Sequence, residues 1–238
     1  SRAYLAQAGE FSKQVDPNIQ AVGELLKKSV DEARAATEIS PHSVVAWENL
    51  ATVYENTYFL APEAGQWVID SVNSAIALEP SNPILMWRLG NDYMAQNNAA
   101  KAIEYFQKAI ELKRDYLGAY LGLVSAYESN KDLDKAVEVY KTILASGGNN
   151  NTEILFNFGR LLYNRNQKGD KADAEKLWLE AVRLQPNYSN ALYSLALLYE
   201  SRGEKQKALE YYYKVKELNP GNKDIINKIK SLVAEAAK

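Results

Sequence analysis

The groups in this sequence that could do chemistry are few and scattered. The one histidine, His42, follows Pro41, and there is no second histidine or any cysteine to complete a metal site. It reads as a surface or loop residue. Carboxylates are numerous, but they stand four residues from lysines, as Glu104 with Lys108 and Glu210 with Lys214. That is the spacing of ion pairs along a solvated helix face. Gly147-Gly148 and Gly169 lie in no strand-to-helix phosphate loop, and no nucleophile motif or dinucleotide fingerprint occurs. Asn150-Asn151-Thr152 and Asn187-Tyr188-Ser189 fit the glycosylation acceptor pattern, a triplet frequent by chance. The inventory predicts a chain that is not an enzyme and uses no cofactor and no metal, and it moves the functional question to binding.

Composition narrows what is bound. Charged residues make up 24% of the 238 and nearly cancel, to a net charge of -2, so no bulk field draws in nucleic acid or an anionic bilayer. No run approaches the ~18 consecutive apolar residues of a membrane span. The opening SRAYLAQAGE has neither a starting Met nor a signal-peptide layout, and the chain reads as a soluble segment of a longer protein. Without cysteine the compartment is unreadable, cytoplasmic or extracytoplasmic alike. Hydrophobic residues at 47%, with 12 Gly and 7 Pro, fit an all-helical chain.

The elements that must position any binding group announce themselves by a period. Pro186 and Pro220 lie 34 residues apart, each closing a similar phrase, and the phrase recurs up to Pro41 and Pro80. Between the last two prolines, Leu192, Leu195, Ala196 and Tyr199 form the i, i+3, i+4, i+7 stripe of an amphipathic helix. Ala208, Tyr212 and Val215 form a second stripe, after a turn around Gly203. Each unit is therefore helix, turn, helix, loop.

This layout resembles the tetratricopeptide repeat, whose 34-residue unit carries a large residue, Leu, a small residue and Tyr on helix A, then Ala, an aromatic, Ala and Pro on helix B. Trp47, Leu50, Ala51, Tyr54, Ala75 and Pro80 follow that order. So do Met86, Leu89, Gly90, Tyr93, Ala102, Phe106 and Ala109; Tyr120, Leu123, Val124, Tyr127, Ala136 and Tyr140; and Leu155, Phe158, Gly159, Leu162, Ala174, Trp178, Ala181 and Pro186. The resemblance implies an all-α, right-handed superhelical solenoid of antiparallel helix pairs, about six repeats plus a C-terminal capping helix. The expected division is a degenerate N-terminal repeat over 1–42, repeats over 43–82, 83–116, 117–151, 152–188 and 189–222, and a cap over 223–238. Asp16-Pro17 is the expected start of a helix running to Ile39, with Tyr4 to Lys13 as a helix before it.

Three departures from the period stand out. Asn56 to Gly65 carries five extra residues, with apolar Tyr58, Phe59 and Leu60 before Pro62. This turn either folds back onto helix A or Trp67, or presents an edge contact to a partner through Tyr58 and Phe59. Ser146 to Asn151, SGGNNN, reads as a hinge, and Asn164 to Asp170 as a solvated polar loop.

In the family the A helices line the concave side, so A-helix residues turned from their own B helix are the expected ligand surface. These are Glu48, Asn49 and Thr52; Trp87, Arg88 and Asn91; Leu121 and Ser125; Phe156, Asn157 and Arg160; and Tyr193 and Leu197. Trp87, Phe156 and Tyr193 read as aromatic anchors, Arg88 and Arg160 as a carboxylate clamp, and Asn91 and Asn157 as donors to a peptide backbone. Leu121 and Gly122, with Glu48 and Trp87, depart from the lysine-rich clamp by which some family members hold acidic chaperone tails. The reading is a protein–protein interaction scaffold whose partner is a protein or peptide, not nucleic acid, with no insertion of this segment into a membrane. The alternatives are a structural spacer that self-assembles into a homo-oligomer, or the non-catalytic tail of a larger bacterial membrane protein. Glu32 to Gly90 also resembles the extramembrane repeat tails of bacterial O-antigen-ligase-like proteins, which motivates the last of these.

Overall fold

Asparagine or serine starts several of these helices, because a short side-chain acceptor can satisfy a first-turn N–H that has no partner inside the helix. In the computed structural model, which describes residues 1–12, 18–58, 61 and 63–236, Ser43, Asn82, Asn98 and Asn151 all accept such bonds from the helices that follow them. The described residues form α-helices and one 3-10 turn, with no strand among them. They pack as two units, Ser1–Lys131 and Asp132–Lys238.

The first unit holds α1 (Arg2–Ser12), α2 (Ile19–Ile39), α3 (Val44–Thr57), α4 (Ala64–Leu78), α5 (Pro83–Ala95), α6 (Ala99–Leu112) and α7 (Leu117–Ser129). Helices α1 with α2, α3 with α4, and α5 with α6 pack as antiparallel hairpins, and each hairpin leans on the next through α2–α3, α4–α5 and α6–α7. The start of α2 differs from the sequence expectation. Its cap is Asn18, whose side chain accepts from Ala21 N–H and so does the work assigned to Asp16. Asp16, Pro17 and Lys13 lie outside the described residues, as do Phe59, Leu60 and Pro62 of the long turn.

The close approach of helices in this unit depends on small residues. Phe106 of α6 is wholly buried. A Cβ placed on Gly90 of α5 would lie 2.7 Å from its ring, and one placed on Gly122 of α7 would lie 2.5 Å from it. The ring therefore fills the space both within its own hairpin and toward the next helix, and side chains larger than hydrogen do not fit at either glycine.

The second unit holds α8 (Leu133–Ala145), α9 (Thr152–Arg165), α10 (Asp170–Leu184), α11 (Ser189–Ser201), α12 (Lys205–Leu218) and α13 (Lys223–Ala236). Helices α9 with α10 and α11 with α12 form hairpins, and α13 packs on α12 through Ile225, Ile229 and Leu232, all buried. On the B helices Tyr140, Trp178 and Tyr212 are buried at the family's aromatic position, matching Phe106 in the first unit. Three glycines supply positive φ at junctions, Gly147 at 99°, Gly169 at 96° and Gly203 at 76°.

The segment read as a hinge is structured. Gly148–Asn150 forms the 3-10 turn, and Asn151 then accepts from the N–H groups of both Glu153 and Ile154 to start α9. The polar loop before α10 is likewise more than solvated chain. Asp170 is 4% exposed and receives two bonds from Arg165, Nε at 2.9 Å and Nη2 at 2.6 Å, and a third from Gln167 N–H at 2.8 Å. Arg165 also reaches Asp134 of α8 at 2.9 Å. Loop polarity here serves a buried ion pair that closes the α9–α10 turn.

Candidate functional site

The expected ligand residues stand on the A helices of both units, and the structure separates those already engaged from those that are open. In the first unit α3, α5 and α7 carry three rows at matched positions: Glu48, Trp87, Leu121; Asn49, Arg88, Gly122; and Thr52, Asn91, Ser125. Arg88 is committed to α3. Its Nη2 donates to Glu55 Oε1 at 2.7 Å and to Thr52 Oγ1 at 2.8 Å, and Nη1 lies 3.8 Å from Glu48. Asn49 donates to Ser1 Oγ at 2.8 Å, and Asn91 back-bonds to Trp87 O at 3.0 Å.

Trp87 is half-buried. Its Nε1–H donates to Gly118 O at 3.1 Å, its ring stands 6.0 Å from that of Tyr116, and it packs against Met86, Ala109 and Ala119. This indole joins α5 to α7 as well as showing an edge to solvent. Leu121 and Ser125 of α7 are exposed, and Leu121 retains 38% of its surface. Val45 and Ile84, at matched places in the first turns of α3 and α5, are exposed as well, at 65% and 55%. Sequence reasoning passed over both because their positions lie outside the repeat signature.

In the second unit Phe156, Asn157 and Arg160 of α9 are half-buried, with Phe156 edge-on to Tyr188 at 5.5 Å. The Phe156 carbonyl accepts from Trp178 Nε1 at 3.1 Å, which satisfies the one polar atom of that buried indole. On α11, Tyr193 is 37% exposed and stands edge-on to Tyr212, and Leu197 is half-buried. Tyr212 in turn donates to Glu200, which also accepts from Lys228 of α13 at 2.7 Å.

At the long turn of the first unit, Tyr58 folds back. Its ring lies 3.0 Å from where a Cβ on Gly65 would be, although 41% of the residue stays exposed. Trp67 packs instead on Tyr54, at 5.4 Å, with Arg34 over both rings. Beside Tyr58 lies a cavity of 150 Å³ whose wall includes Asp92, a buried carboxylate that sequence reasoning missed because it is one more polar position on an amphipathic helix.

Paired helices with an alanine or glycine facing a buried aromatic, repeated in register, are one side of the family question; sequence models supply the other. Models of the tetratricopeptide repeat match residues 93–155 and 160–223, together more than half of the chain. The chain belongs to the tetratricopeptide-repeat family. Such repeats form protein–protein interaction scaffolds, and among the described residues no helix is long and apolar enough to cross a membrane. Over 165 residues, 64% of its length, this repeat protein is 24% identical to Protein O-mannosyl-transferase TMTC3 of Homo sapiens and 22% identical to that of Mus musculus. It spans only 18% of those relatives. YrrB, described as a TPR protein with an unusual peptide-binding site, superposes with a TM-score of 0.60 at 19% identity, covering 84% of this chain and 99% of that one. PilW, a widely conserved type IV pilus biogenesis factor, does so at 0.63 and 16% identity, covering 96% and 97%. At these identities the structural likenesses show the fold.

Proposed function

We propose that this chain is a non-catalytic scaffold that holds a peptide or an extended segment of a partner protein against its A-helix faces. The observation that carries the reading is the pair of open apolar side chains at matched A-helix positions, Leu121 in the first unit and Tyr193 in the second. Each is flanked by hydrogen-bonding residues, Ser125 beside Leu121 and Asn190 beside Tyr193. Apolar anchors among polar neighbours are what an extended peptide needs for affinity and register. The committed state of Arg88 refines the expectation: a carboxylate clamp at that residue would compete with Glu55 and Thr52, so recognition rests on apolar and amide contacts in the first unit. The YrrB likeness supports the reading at the level of fold. The transferase activity named for the mannosyl-transferase relatives concerns proteins of which this chain spans less than a fifth.

Affinity capture from the source cells, comparing the unaltered chain with a Leu121→Ser/Tyr193→Ser double variant, tests it. The same partner should be recovered strongly by the first and lost from the second, with equal helical circular dichroism. Equal recovery by both would move the binding surface elsewhere.

A further inference from the structure

The cavity beside Tyr58 sits where three helices of the first unit meet at the turn end of their hairpins. Glu55 comes from α3, Gly65 and Val68 from α4, and Asp92 and Ala95 from α5, with Gln96 just beyond. Its walls differ in kind. Val68, Ala95 and the Tyr58 ring make an apolar sleeve, and Gln96 closes one side by donating to Gly65 O at 2.8 Å. Asp92 also lines the cavity, nine-tenths buried, and its Oδ2 has no hydrogen-bond partner among the described residues. A buried carboxylate oxygen left without a donor is costly, and native structures rarely leave one without a use.

The local charges do not cancel. Arg88 is the guanidinium of the cluster, and its ion-pair partners are Glu55 and Glu48 on α3. Asp92 is a third carboxyl on the same group, while α4 contributes uncharged Gly65 and Val68 to the wall. With all three carboxyls ionised the cluster is short of two positive charges, and with Asp92 protonated it is short of one. Burial, then the neighbouring Glu55, push the Asp92 carboxyl up to about 7, against a smaller opposing pull from Arg88. At neutral pH it is therefore poised between a protonated form, which shares a hydrogen bond with Glu55, and a carboxylate in want of a cation.

We propose that this cavity takes a primary alkylammonium group, the end of a lysine side chain on a partner, with the ammonium between Asp92 and Glu55 and its methylene stem along Val68, Ala95 and the Tyr58 ring. Three donors on a compact ammonium suit two carboxylates converging on a narrow space, and the aromatic face beside them adds attraction for the charge. A space of 150 Å³ is small for a whole peptide segment and adequate for one aliphatic amine. The inference stands apart from the A-helix face described above, since it concerns a different place and needs no knowledge of the partner.

The test uses the full chain, labelled with nitrogen-15 and titrated at constant ionic strength with n-butylammonium and, separately, with n-butanol. Expected are saturable shifts of the Gly65, Asp92 and Gln96 amides with butylammonium, at a dissociation constant on the order of 1–10 mM, the range open to so small a ligand. Butanol should bind at least about tenfold more weakly, and Asp92→Asn should weaken butylammonium by about tenfold or more, because truncating one partner of a buried charge pair has effects of that size. Ala95→Leu, at an exposed rim position that leaves the carboxylates in place, should block both ligands. Butanol binding as tightly as butylammonium would make the cavity merely apolar and overturn the proposal. So would unchanged affinity in either variant, or the absence of saturable shifts in the unaltered chain.

Discussion

Gly122 of α7 presses so closely on Phe106 of α6 that a methyl group in place of its hydrogen would lie 2.5 Å from the ring, inside any real carbon–carbon contact. The ring cannot retreat, because Gly90 of α5 bounds its other side at 2.7 Å on the same measure. The hairpin α5–α6 and helix α7 are thus spaced by one aromatic between two glycines.

Gly122→Ala should therefore destabilise the chain, by about 1–3 kcal/mol, as overpacking of a filled core does, although alanine is the better helix former by about 1 kcal/mol. Urea unfolding followed by circular dichroism reads this directly. A compensating Phe106→Leu in the Gly122→Ala background should recover part of the loss, and a failure to recover any would place the strain elsewhere.

The glycine at 122 illustrates what the sequence could and could not tell. The hairpins were legible, because Leu89, Gly90, Tyr93, Ala102 and Phe106 repeat an amphipathic period that only paired helices satisfy. Gly122 falls at a position where the repeat tolerates many residues, so nothing local marked it as the second wall of the Phe106 site. Arg88 was legible as an A-helix surface residue, but its commitment to Glu55 and Thr52 depends on the register of α5 against α3, which periodicity alone does not set. Asp170 looked like one polar residue in a polar loop. Its burial follows from the turn that Asn166 and Gly169 make with positive φ, 53° and 96°, which swings it under Arg165.

Trp87 and Tyr193 both read as anchors from sequence, and the structure divides their roles. Trp87→Ala removes a hydrogen bond to Gly118 O and contacts with Met86, Ala109 and Ala119, and should cost about 2–4 kcal/mol of stability. Tyr193→Ala removes a side chain that is 37% exposed and should cost about 1 kcal/mol or less. Thermal unfolding of the two variants side by side checks the contrast. Equal losses would mean that Tyr193 supports the core more than its exposure implies, and would remove it from the binding surface.

The Arg165–Asp170 pair gives the chain an acid-sensitive joint. The bonds from Arg165 hold the Asp170 carboxyl below the ordinary carboxylate range, helped by Gln167 N–H and opposed by burial. A carboxyl whose folded pKa is depressed contributes stability above its unfolded value, near ~3.9, and loses it as pH falls through the folded value. Asp170→Asn should remove this contribution at pH 7, and Arg165→Ala should cost about 3–5 kcal/mol by leaving a buried charge unpaired. In urea titrations from pH 7 to pH 3, the gap between the unaltered chain and Asp170→Asn should narrow as the pH drops. A gap that stays constant would show that the pair contributes through shape and not through charge.

Asp92 carries the opposite sign, although it is buried to a similar degree, 9% exposed against 4% for Asp170. Its carboxyl is raised to about 7, so the stability associated with its neutral form is complete below ~3.9 and is lost as pH climbs through 7. The ceiling on that loss, three pKa units at about 1.4 kcal/mol each, is about 4 kcal/mol. Asp92→Asn keeps the shape and abolishes the ionisation, so the stability difference between variant and unaltered chain should swing in the variant's favour between about pH 4 and pH 7, the interval between the unfolded and folded values, and level off above it. Arg88, already paired with Glu55 and Glu48, opposes that swing only in part. Differential scanning calorimetry across that range measures it, and a difference independent of pH would mean that Asp92 is ionised in the folded chain with a partner of its own.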